Sequence, residues 1–212
     1  MINWYDNIPL ISFIILKAKC RSCSTKISSK YFLVELISAI SFVFIFYLFG
    51  FSLTTLLLFI LSISFIIIFF IDLKHFIIPN EITYPLMVIG FIKSFDPNLN
   101  MDLFPNFMNS LIGGLFGYMI IWLIIFIYKK LRDKEGMGLG DAKLLSVIGF
   151  WFGWVSIPFV IFFSSTVALL SALPDLIKNK KNLSSQIPFG PYIIIGCLMF
   201  LVFNEQIKLY LN

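Results

Sequence analysis

Seven long apolar runs divide this chain, at roughly 31–50, 53–71, 80–94, 107–128, 141–154, 156–177 and 188–204. A half-exposed strand would alternate polar and apolar residues, and these runs do not. About 20 apolar residues cross the hydrocarbon of a bilayer as a helix. Inside lipid the backbone must satisfy its own hydrogen bonds, which leaves helices or closed barrels. Continuous runs exclude a barrel, whose strands alternate. The runs therefore predict an all-α, polytopic helical membrane protein with about seven transmembrane helices and a small N-terminal cytoplasmic region. Only 13% of the 212 residues are charged, about half the share found in soluble domains. The runs at 80–94 and 141–154 are short for a full crossing. Residues 1–16 hold Asp6 and Pro9 and lack a basic start, so no cleavable signal peptide is expected.

The basic residues set the expected orientation, because Lys and Arg collect on the cytoplasmic side. Positions 17, 19, 21, 26 and 30, then 74, then 129, 130, 132, 134 and 143, then 178, 180 and 181 fall on one side of a seven-span chain. That is 5 + 1 + 5 + 3 = 14 of the 16 basic residues, with Lys93 and Lys208 on the other. The net charge of +5 thus follows membrane topology and carries no nucleic-acid signal.

Two polar interruptions stand out. Gly136-Met137-Gly138-Leu139-Gly140-Asp141-Ala142-Lys143 leads directly into the fifth run, and Ile71-Asp72-Leu73-Lys74-His75 closes the second. An acid at a membrane helix is costly and points to function. The topology, built from Lys and Arg alone, brings Asp72 and Asp141 to one depth at the cytoplasmic face. Two carboxylates close together in a low-dielectric cleft do not both ionise. One then takes a proton from water while the other polarises a carbonyl, as in an aspartic protease. Gly138 and Gly140 would let backbone approach an extended peptide. The bland alternatives are that Asp141 is an N-cap and that both acids merely end helices. An acid at a helix C-terminus, where Asp72 lies, is disfavoured by the dipole.

These residues also carry a resemblance. Phe70-Ile71-Asp72-Leu73-Lys74-His75-Phe76-Ile77-Ile78-Pro79-Asn80, the stretch Gly136–Leu145 with Gly149 and Gly153-Trp154, and Ile187-Pro188-Phe189-Gly190-Pro191-Tyr192 resemble, in order, three motifs of the type IV prepilin peptidases, the bacterial GxGD-type membrane aspartyl proteases. The resemblance covers essentially the whole chain. It implies that Asp72 and Asp141 are the catalytic pair and that Gly138, Gly140 and Lys143 support them. It implies prepilin or secretion-system pseudopilin substrates, cut at the cytoplasmic face of the bacterial inner membrane to remove a short basic leader. No cofactor is implied for that cleavage.

Many members also methylate the new N-terminus with S-adenosylmethionine. Asp6-Asn7-Ile8-Pro9, Cys20-Arg21-Ser22-Cys23 and Tyr31 through Glu35 resemble the second half of the region associated with that activity. Residues 1–30 are read as a remnant of a cytoplasmic methyltransferase or zinc-type region, and 31–212 as the transmembrane peptidase domain. The family's additional N-terminal helix and earlier Cys-x-x-Cys are expected to be missing. Cys20 and Cys23 are candidate metal ligands but supply half of a four-thiolate zinc site. Glu35 is expected to make a polar contact with the segment before it, His75 to be solvated, and Cys197 to be packing. An ion- or proton-coupled transporter using two intramembrane acids is the competing class. Transporters carry internal repeats and midplane acids, and neither is visible here. A thiol oxidoreductase built on Cys20 and Cys23 is a third reading.

Overall fold

A computed structural model describes residues 6, 8–99, 103–132, 137–177 and 187–211. Gly136 and the basic residues Lys134, Lys178, Lys180 and Lys181 of the charge count lie outside them. The described chain is helical: α1 (Ile11–Ile15), α2 (Ser29–Phe49), α3 (Leu53–His75), α4 (Asn80–Ile92), α5 (Phe107–Arg132), α6 (Leu139–Phe152), α7 (Ser156–Ile177) and α8 (Gly190–Leu211). Each of the seven apolar runs has become one helix, α2 to α8. Among the described residues, four stretches are long and apolar enough to cross a membrane: Ser29–Phe49, Leu53–His75, Phe107–Leu131 and Ser156–Pro174. By contrast α4 and α6, with 13 and 14 residues, are only about 20 Å long.

The chain divides into two compact units, Met1–Ile66 and Ile67–Asn212. In the first, α1 lies beside the start of α2. Glu35 of α2 accepts a hydrogen bond from the backbone N–H of Leu10 at 2.9 Å, which is the polar contact expected of it. Phe13 stacks on Phe32 with ring centroids 5.0 Å apart. Between these helices a tight turn is closed by an antiparallel bridge from Lys19 to Lys26. Arg21 and Asp6 form an ion pair across it at 2.8 Å.

The second unit is built around α6, which touches α4, α5, α7 and α8. Ala142, Leu144, Val147, Ile148 and Trp151 of α6 are fully enclosed. Glycines let α5 and α6 approach until their backbones meet. A Cβ on Gly117 would come 2.7 Å from the Leu145 carbonyl oxygen, and one on Gly149 would fall on the carbonyl of Gly113. Small residues give membrane helices this kind of contact. Serines fasten the seam: Ser110 donates to the Phe150 carbonyl at 2.7 Å and Ser146 to that of Gly114 at 2.8 Å.

The far end of α6 is held by a lysine. Lys93, in a 3-10 turn after α4, is 5% exposed. Its ammonium donates to the Trp151 carbonyl at 3.0 Å and sits 3.8 Å from the Phe104 ring centroid. The Trp151 indole donates in turn to the Leu86 carbonyl of α4 at 2.8 Å. A cation at a helix C-terminus is favourable, and here it also ties α4 to α6.

The α5–α6 seam has no room for a side chain. Gly149→Leu is expected to lower the thermal midpoint of the detergent-solubilised protein by overpacking, at a cost of roughly 1–3 kcal/mol. An unchanged midpoint would show that the two backbones do not meet there.

Candidate active site

Both candidate acids lie at helix ends in the second unit. Asp72 is three residues before the end of α3 and Asp141 is the third residue of α6. They are 4% and 8% exposed, and the same residue, Ile78, lies against Gly190 beside Asp72 and against Gly140 beside Asp141. The backbone N–H of Gly190, the first residue of α8, donates to Asp72 Oδ2 at 2.9 Å. The backbone N–H of Asp141 donates to the Gly138 carbonyl at 3.2 Å.

The N-cap of α6 is Gly138, with extended backbone and no capping side chain. Asp141 is therefore not the N-cap. Its place in the first turn suits an acid electrostatically. That local role does not explain its burial, nor its nearness to a second acid 69 residues earlier in the chain.

Ile78 fills the space around the acids. It is buried, in the extended link between α3 and α4. A Cβ on Gly140 would come 3.0 Å from Ile78 Cβ. One on Gly190 would come 3.1 Å from Ile78 Cδ1 and 2.7 Å from Asp72 Oδ2. Gly140 and Gly190 are thus small because Ile78 and Asp72 already occupy the volume. Gly138 differs, since a Cβ there would meet Asp141 Oδ2 only at 3.8 Å, an ordinary contact. Its backbone is extended as well, so neither packing nor conformation demands glycine at that position.

The link carries backbone strain. Phe76, four residues past Asp72, has φ +58°, a genuine outlier for a bulky residue. Its N–H still bonds the Asp72 carbonyl at 2.9 Å. The turn sends the chain away from α3 and swings Ile78 back toward the acids. Pro79 is the N-cap of α4 rather than its first residue, and Glu81 lies in the first turn.

Lys143 is half-buried and donates to Asn80 Oδ1 at 2.6 Å. His75 is exposed and Cys197 is fully enclosed, as expected. The role of Gly190 was not read from the sequence. Its signal was present in the Pro188-Phe189-Gly190-Pro191 stretch that opens α8, but the partner is 118 residues away. Nothing local names it.

Cys20 and Cys23 lie in the tight turn of the first unit. Cys20 Sγ is 3.3 Å from Ser22 Oγ, and Thr25 Oγ1 donates to Cys23 Sγ at 3.2 Å. The hydrogen bond with the Ser22 side chain, followed by those with the backbone of Cys23 and Ser22, draws the Cys20 thiol down to about 6. Thiolate character suits a metal. However, no group of three or more His, Cys, Asp or Glu stands together among the described residues. Two thiols do not fill a tetrahedral zinc shell, so these residues alone do not fit the metal.

Comparison with known proteins gives a consistent result. Residues 59–173 match the family described as the type IV leader peptidase family, and residues 1–49 match the bacterial peptidase A24 N-terminal domain. A Pseudomonas aeruginosa protein named prepilin leader peptidase/N-methyltransferase is 34% identical over 204 residues, covering 96% of this chain and 68% of its own length. A Stutzerimonas stutzeri protein of the same name is also 34% identical, with 97% and 70% coverage. One from Xanthomonas campestris is 36% identical over 212 residues, covering 100% of this chain and 72% of its own. No solved structure matches. With matches to both families and relatives above 30% identity along nearly its whole length, the chain belongs to the type IV leader peptidase family and is a peptidase.

Proposed function

We propose that this protein is a membrane-embedded aspartic endopeptidase that removes the short basic leader from type IV prepilins or pseudopilins, with Asp72 and Asp141 as its catalytic pair. The observation that carries the reading is the convergence of two buried carboxylates, at the end of α3 and the start of α6, around Ile78, with Asp72 held by the Gly190 amide. Family membership supports the peptidase chemistry. The relatives' names support the substrate class. Neither favours a transporter.

The chemistry follows from the pair. One carboxylate accepts a proton from water as the oxygen attacks the scissile carbonyl. The other carboxyl, protonated, donates to the carbonyl oxygen as it gains charge. Collapse of the tetrahedral intermediate breaks the C–N bond, and the leaving amine takes up a proton. The two acids exchange one proton over the cycle and titrate as a unit. The Gly190 amide fixes the Asp72 carboxylate, which suits a site that must be in place before substrate arrives, and Gly138 opens the turn that carries Asp141. Gly140 and Lys143 complete its support.

In this proposal α2 to α8 are seven spans, with 14 of 16 basic residues on the cytoplasmic side. The site opens at that face of the bacterial inner membrane. Residues 1–30 form a small cytoplasmic region and 31–212 the peptidase domain; no nucleic acid is involved. A second reading adds N-methylation of the new amine with S-adenosylmethionine. It is carried by the match at 1–49 and by the relatives' names, and no residue is assigned to the cofactor.

Co-expression with a prepilin tests the proposal. Asp72→Asn and Asp141→Asn keep size and hydrogen bonding but cannot ionise. Each is expected to lower cleavage by roughly 10²–10⁴-fold while the protein still inserts. Cleavage at the wild-type rate by either would reject the pair. Mass spectrometry of the mature N-terminus in the same samples reads methylation directly, and an unmethylated amine would reject the second reading. Gly190→Ala is expected to displace the Asp72 carboxylate and to slow cleavage by roughly tenfold to a hundredfold, more than Gly138→Ala does. The reverse order would mean that Gly190 does not hold Asp72.

A further inference from the structure

We infer that Lys143 and Asn80 form a latch that sets the spacing of the two acid-bearing segments, which makes both of them positioning residues of the peptidase. The inference rests on Asp72 and Asp141 being the catalytic pair.

The two acids belong to chain segments far apart in sequence. One segment runs from Asp72 at the end of α3, through the extended link 76–79, to Asn80 at the start of α4. The other is the first turn of α6, with Asp141 and Lys143. Among the described residues, the bond from Lys143 Nζ to Asn80 Oδ1, at 2.6 Å, is the side-chain hydrogen bond that joins these two segments. Ile78 against Gly140 adds an apolar contact between them. An apolar contact resists compression but does little to resist separation. The hydrogen bond supplies that restraint.

Lys143 does not act on the carboxylates directly. Residues two apart on a helix face nearly opposite directions. Asp141 is accordingly buried, while Lys143 is half-exposed and turned toward α4. The ammonium also lies 5.1 Å from the centroid of the Tyr84 ring, one turn along α4 from Asn80. A cation above a ring face is attracted to it. The lysine is thus held at two points of α4, which is more than a freely solvated topology charge requires. Any effect on the acids passes through the backbone of the first turn of α6, two residues from Asp141.

The test is a double-mutant cycle on prepilin cleavage in membranes, with kcat and KM separated. Lys143→Met and Asn80→Ala are each expected to lower kcat about tenfold with KM nearly unchanged. The double variant is expected to be no slower than the slower single, because both remove one interaction. The exchanged pair, Lys143→Asn with Asn80→Lys, is expected to recover kcat above either half of the exchange alone. A charge that serves only topology or folding would not give that recovery. Losses that multiply in the double variant, single variants at wild-type kcat, or an exchanged pair no better than its halves would overturn the latch. Asp72→Asn and Asp141→Asn run alongside keep the two ideas apart. If they still cleave, the catalytic pair is wrong. If they are inactive while Lys143→Met is unaffected, only the latch is wrong.

Discussion

The backbone contact between α5 and α6 is the constraint on which the second unit depends. At Gly113, Gly117 and Gly149 the two helices meet without side chains between them, and Ser110 and Ser146 lock the seam. In lipid no hydrophobic drive pulls helices together, so close packing and interhelical hydrogen bonds must do it. Once α6 is fixed against α5, its two ends have fixed addresses. The C-terminal end meets Lys93 and the aromatic pair Phe104 and Trp151. The N-terminal end presents Asp141. A helix of only 14 residues becomes a rigid strut inside the protein, with a lysine at one end and an acid at the other, each complementing the helix dipole.

The candidate site is then assembled from three helix ends. The end of α3 brings Asp72, the start of α6 brings Asp141, and the start of α8 brings the Gly190 amide. Ile78 fills the volume between Gly140 and Gly190. Helix termini are a sensible source of parts, since each has backbone groups left without partners inside the helix. Here one such amide, at Gly190, goes to the Asp72 carboxylate. Glycine at 190 serves space and donor at once: its N–H reaches Asp72, and a Cβ there would collide with the same carboxylate.

Much of this was legible in the sequence, for definite reasons. Apolar runs read as helices, and each of the seven formed one, four of them long and apolar enough to cross a membrane. Acids placed where such runs end were conspicuous against so oily a background. The less legible parts are those that depend on distant partners. The sequence showed Lys93 only as a charge placed by topology, whereas its burial against Trp151, 58 residues away, needed the fold. Gly138 and Gly140 looked alike in the motif, yet packing demands glycine only at 140, because Ile78 comes from another segment. The capping reading of Asp141 failed by three positions, since the helix begins earlier than its apolar run. Local pattern marks a helix well and marks its first residue poorly.

The central claim is that Asp72 and Asp141 share one site in the folded protein. Cross-linking measures this without relying on activity. Asp72→Cys and Asp141→Cys would be combined in a background with Cys20→Ser, Cys23→Ser and Cys197→Ala, and treated in membranes with a short bifunctional thiol reagent. The account predicts an efficient intramolecular cross-link between positions 72 and 141, and none when position 72 is paired with a cysteine at Lys93. If both cysteines react with a monofunctional reagent but do not cross-link, the two acids do not share a site and the account is wrong.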